Sequence, residues 1–78
     1  MAGSNYTAIS PDQVQAGDVY KFIPAEDGCP TVYGDVLQVL AGRRLVQVRW
    51  WDDGRTVWTY VEPSAGRAAF GRKNGVKQ

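Results

Sequence analysis

Seventy-eight residues, 44% of them hydrophobic, with nine basic and eight acidic side chains and a formal net charge of +1, make one small globular domain and exclude a wholly disordered chain. So short a chain hides only about 60% of its unfolded surface, which leaves a thin core. One cysteine excludes an internal disulfide and suits a reducing compartment, MAGSNYTAIS lacks the basic and apolar pattern of a signal peptide, and no apolar run approaches the roughly 20 residues that cross a bilayer, so a cytoplasmic protein without membrane contact is expected.

Three stretches divide the chain: an N-terminal segment (1–16), a β-rich body (17–65) and a basic tail (66–78). Ser10-Pro11 has the form of a helix start, with Ser as N-cap and Pro at the first helical position, and Gly17 leaves room for about one turn. Val19 to Ile23 reads as a first strand, stopped by Pro24, which cannot donate to a sheet ladder. Residues 24–34 form a loop, Asp35 to Leu40 a second strand, and Ala41 to Arg44 a turn with Gly42 as its left-handed residue. Leu45 to Trp51 and Arg55 to Val61 are third and fourth strands, and Glu62-Pro63-Ser64 closes the sheet and leads into one helical turn or a short fifth strand. Gly66 onward has three glycines and a single large apolar residue, Phe70, and reads as partly mobile. Residues 1–63 carry five bases against eight acids, a net of −3, whereas Arg67, Arg72, Lys73 and Lys77 give the tail +4.

The segment LVQVRWWDDGRTVWTYV, residues 45–61, is the strongest local signal. Val, Trp, Thr and Tyr favour a pleated sheet, and Asp-Gly supplies the positive dihedrals of a tight hairpin turn. A two-residue loop at Asp53-Gly54 sets Trp51 opposite Thr56, Arg49 opposite Trp58 and Gln47 opposite Tyr60. Val46, Val48, Trp50, Val57 and Val61 then fill the core, and Gln47, Arg49, Trp51, Trp58 and Tyr60 face out, with Arg49 and Trp58 as a cation–π pair. A three-residue loop with a bulge at Gly54 turns Trp58 and Tyr60 inward instead. The first register is preferred because its inner face of Val, Thr and one Trp fits a small core.

Gly17-Asp18 through Ile23, then Glu26-Asp27-Gly28-Cys29, Val36 to Val39, and Val46 to Trp50 before a glycine turn resemble Tudor domains of the survival-of-motor-neuron type over about 45 residues. Val48 to Gly54 is also similar to small actinobacterial SH3-like proteins of unknown function and to Mind-bomb-type domains. The resemblance implies a five-stranded SH3-like barrel. The aromatic cage with which Tudor domains read methylated side chains falls on Pro24, Thr31, Trp50 and Asp53, with Arg55 at the following amide, so one aromatic of four is kept; Tyr33 is a substitute from the loop. Val57-Trp58-Thr59-Tyr60 resembles the pore strand of type II dihydrofolate reductase, Val-Gln-Ile-Tyr, but Trp58 and Thr59 replace the substrate-touching pair.

No histidine is present to act as general base or zinc ligand. Cys29 reads as a small packed thiol, and Asp52-Asp53 and Glu26-Asp27, each before glycine, read as turn formers. No metal, cofactor, small-molecule substrate or catalysis is expected. The exposed aromatic strip has three possible covers: the tail with Phe70 as plug, a protein partner or second copy, or a nucleic acid. The reading is an all-β barrel acting as a bacterial, phage or plasmid protein-binding module through Gln47, Arg49, Trp51, Trp58, Tyr60, Tyr33, Arg43, Arg44 and Arg55. Nucleic acid is the alternative partner, with phosphates on Arg67, Arg72, Lys73 and Lys77.

Overall fold

A computed structural model describes residues 6–74. Six strands, β1 (Tyr6–Ile9), β2 (Val19–Pro24), β3 (Val32–Leu40), β4 (Leu45–Trp50), β5 (Thr56–Tyr60) and β6 (Gly66–Lys73), form one antiparallel sheet in the order β1-β6-β2-β3-β4-β5. The all-β class is as expected. The closed five-stranded barrel is not: the sheet has a sixth strand and two edges, β1 and β5. Between β5 and β2 it stays open over a recess of about 240 Å³ lined in part by Tyr20, Phe22, Trp50, Thr59 and Tyr60.

The extra strand comes from the termini. Tyr6–Ile9 pairs with β6, and β6 also pairs with β2 from Val19↔Gly71 to Pro24↔Gly66. What reads as a partly mobile tail is thus an inner strand through Lys73, and the N-terminal segment contributes an edge. Phe70 is buried and stacks obliquely on Tyr20 at 5.2 Å, with Trp50 on the other side of Tyr20 at 5.8 Å. These rings join Val36, Val46, Val48 and Val61 on the inner face, with Ile9, Phe22 and Val57 packed against them. Among the described residues the Tyr20 hydroxyl has no partner in hydrogen-bond geometry; burial raises its pKa, with the neighbouring Thr59 side chain opposing.

Pro11–Gln13 forms a 3-10 turn with Pro at its start, although Ser10 makes no side-chain cap bond. β3 begins three residues earlier than expected and carries a bulge between Val36 and Gln38. In the β3–β4 turn it is Arg44, not Gly42, that is left-handed, at φ 54°. Arg44 N–H donates to the Ala41 carbonyl, and its guanidinium lies 3.4 Å from Asp12 and 3.3 Å from Glu62, contacts that hold it there. Cys29 is exposed rather than packed.

Gly34 marks where β3 passes closest to β4. A Cβ there would collide with the Val48 side chain and lie 2.9 Å from the Arg49 carbonyl oxygen and 3.2 Å from the Trp50 ring. Gly34→Ala is expected to lower stability by about 1–3 kcal/mol, the usual cost of overpacking. A denaturant midpoint equal to that of the parent chain would refute this tight crossing.

Candidate functional site

Alternation along the strands sends Tyr20, Phe22, Val46, Val48, Val57, Thr59 and Phe70 inward and their neighbours outward. The outer face thus presents Tyr6 from β1, Arg67, Ala69, Gly71 and Lys73 from β6, Val19, Lys21 and Ile23 from β2, and Tyr33 and Asp35 from β3. Gln47 and Arg49 of β4 and Thr56, Trp58 and Tyr60 of β5 complete it.

The hairpin keeps the expected faces but not the expected pairs. Arg49 lies opposite Thr56, Gln47 opposite Trp58 and Leu45 opposite Tyr60. The loop takes four residues, 51–54: Trp50 N–H donates to the Arg55 carbonyl and Gly54 N–H to the Trp50 carbonyl, both at 2.9 Å, with Gly54 at φ +73°. Asp53 closes the loop by accepting from the Arg55 N–H at 2.9 Å and its Nε at 3.1 Å. Trp51 is drawn to β3 instead of to Thr56. Its N–H donates to the Tyr33 carbonyl at 3.0 Å, and its indole stacks on the Tyr33 ring at 5.3 Å and 17°. A shift of two residues leaves every side chain on its face, so Trp58 and Tyr60 remain exposed, at 44% and 63%. Arg49 is no longer directly across from Trp58, and the proposed cation–π pair is replaced by a diagonal relation.

The Tyr33–Trp51 stack and Tyr6 wall a groove of about 490 Å³, lined between them by Ala8, Val19, Ala69, Gly71 and Lys21. Lys21 and Tyr6 are the residues that sequence reasoning missed. The alternation of VYKFIP carries the signal for Lys21, since Tyr20 and Phe22 point inward; Tyr6 has none, because its strand is four residues long.

The remaining sequence-chosen residues scatter. Arg43 and Arg44 lie at the β3–β4 turn and Arg55 at the hairpin end, the last two committed to carboxylates. Arg67 and Lys73 join the outer face, Lys73 at 3.8 Å from Asp35. Arg72 points inward and donates to the buried Asp18 carboxylate. Lys77 lies outside the described residues. The face therefore gathers Lys21, Arg49, Arg67 and Lys73 against one carboxylate, Asp35, and the first three have no ion pair among the described residues.

Comparison of the chain with protein-family models, with curated proteins and with solved structures finds no significant match in any of the three. The fold and the face define its class: a small, single-sheet antiparallel β domain with an aromatic and basic outer surface. Among the described residues no helix is long and apolar enough to cross a membrane.

Proposed function

We propose that this chain is a non-catalytic binding module and that its outer sheet face receives single-stranded nucleic acid. One observation carries the reading: five aromatic rings (Tyr6, Tyr33, Trp51, Trp58, Tyr60) share a face with four cations and a single carboxylate. Bases stack on aromatic rings whatever their sequence, while cations follow the phosphates. Counted along the sequence, eight acids argue against a polyanion. In the fold, Asp12, Glu26, Asp27, Asp52, Asp53 and Glu62 occupy turns and loops, and Asp18 lies beneath Arg72, so the sheet face escapes most of that repulsion. The resemblance to SH3-like and Tudor domains is a proposal of scaffold alone, since only Trp50 of the four cage positions is aromatic.

The test is binding of oligo(dT) and oligo(U), followed by tryptophan fluorescence over a range of salt. Single strands give a slope of log K on log salt of about −0.7 per phosphate neutralised, so four cations set a ceiling near −2.8. Arg67→Ala is expected to flatten the slope by about 0.7. Trp58→Ala or Trp51→Ala is expected to weaken binding roughly 5- to 150-fold with the slope unchanged, the loss of one stacked base at about 1–3 kcal/mol. Absence of binding at low salt would overturn the reading. A protein partner would then take its place, favoured by the groove between Tyr6 and the Tyr33–Trp51 stack, whose walls are aromatic and whose other lining residues are mostly small.

A further inference from the structure

The edge strand β5 carries a second kind of surface, in its backbone. Trp50 bonds Arg55 and Val61 N–H bonds the Arg44 carbonyl at 2.9 Å, so with the observed register the odd residues of β5 are the ones hydrogen-bonded to β4. The N–H and C=O groups of Thr56, Trp58 and Tyr60 therefore point away from the sheet, and among the described residues no strand pairs with them. Edge strands normally resist pairing through lysine, proline, a bulge or brevity. Thr56–Tyr60, TVWTY, has no charge and no proline, and no bulge interrupts its pairing with β4.

We propose that this edge pairs with β5 of a second copy, antiparallel about a two-fold axis at Trp58. Two features favour a copy of the chain over an unrelated strand. Such an edge is self-complementary: with Trp58 opposite Trp58 of the partner subunit, Thr56 of each copy meets the other's Tyr60, and every outward N–H and C=O of the three residues finds its counterpart. The exposed indoles become cross-strand neighbours on the outer face, an arrangement that stabilises paired strands. The two outer faces then join across the axis into one continuous surface. The pairing is independent of what that surface binds. One strand pair buries less than the roughly 1,200 Å² of a stable interface, so the dimer is weak and reversible.

Sedimentation velocity of the full chain tests this. The wild-type coefficient is expected to rise with concentration from monomer toward dimer. Trp58→Lys and Trp58→Glu each place like charges on the axis, and each variant is expected to stay monomeric where the wild type dimerises. Mixed in equal amounts, the two are expected to form a heterodimer. Thr56→Pro is the independent arm: its N–H faces the open edge, so proline breaks no bond inside the sheet and removes one across the axis. It too is expected to be monomeric. A wild type that is monomeric at every concentration, charged variants that still dimerise, or folded variants that fail to rescue one another on mixing would overturn the proposal.

Discussion

Deleting residues 66–78 is expected to abolish cooperative folding. The deletion removes β6, which lies between β1 and β2 in the sheet. β1 loses the strand it pairs with, β2 becomes an edge, the Tyr20 ring loses Phe70, and the buried Asp18 carboxylate loses Arg72. A chain of this size has about 4–12 kcal/mol of stability at 0.05–0.15 kcal/mol per residue. Phe70→Ala alone is expected to remove about 3–5 kcal/mol through the cavity it leaves. The full deletion should therefore show no thermal transition by circular dichroism and collapsed amide dispersion by NMR. A truncated chain that melts cooperatively near the parent temperature would mean that β2 to β5 form a self-sufficient unit and that β6 is an accessory.

That outcome is opposite to what composition suggests for GRAAFGRK, and the difference shows what a sequence conveys about such a fold. The hairpin was legible because each strand carries its own β-branched and aromatic signal and Asp-Gly marks the reversal. Its faces were legible for a further reason: with a period of two, a register error of two residues moves no side chain across the sheet. The pairings were not, because they depend on Trp51 choosing the Tyr33 ring and carbonyl on β3 over Thr56 across the hairpin, a tertiary competition. β6 was illegible because its local composition, small and glycine-rich, is that of a linker, while its strand character comes from the neighbours on both sides. Gly66 is small because Phe22 and the Ile23 carbonyl press on it, with the ring 2.9 Å from where a Cβ would stand. The candidate face suffered the same gap. Arg49, Trp58 and Tyr60 were readable from the hairpin alone, but Lys21, Tyr6 and the displacement of the acids into loops require knowing which strands lie side by side.

The Asp18–Arg72 contact gives the second large effect, and its sign reverses with the partner. Asp18 is 2% exposed. Arg72 Nε donates to its Oδ1 at 2.9 Å and Nη2 to its Oδ2 at 3.0 Å, while the Gln15 N–H donates to Oδ2 at 2.9 Å. Nη2 also donates to the Gln13 carbonyl, so one guanidinium ties β6 to the turn before β2. Burial pushes the Asp18 carboxyl up, but the Arg72 and Gln15 hydrogen bonds and the Arg72 charge together hold it below the ordinary aspartate value. Because the folded pKa is lowered, the contact's stabilisation is fully present above the unfolded value of about 3.9 and is lost as pH falls through the folded pKa. Arg72→Met leaves the carboxylate with only the Gln15 N–H as partner, and the variant is expected to be clearly less stable than the parent chain near neutrality. Burial then moves the pKa up, so the variant regains stability on acidification as the carboxyl takes a proton. Asp18→Asn removes the charge and is expected to make stability less dependent on acid pH than in the parent chain. Urea midpoints between pH 3 and pH 7 read all three chains: the gap between parent and Arg72→Met should be widest near neutrality and close toward acid. Parallel profiles would show that Asp18 draws its ionisation from solvent rather than from Arg72.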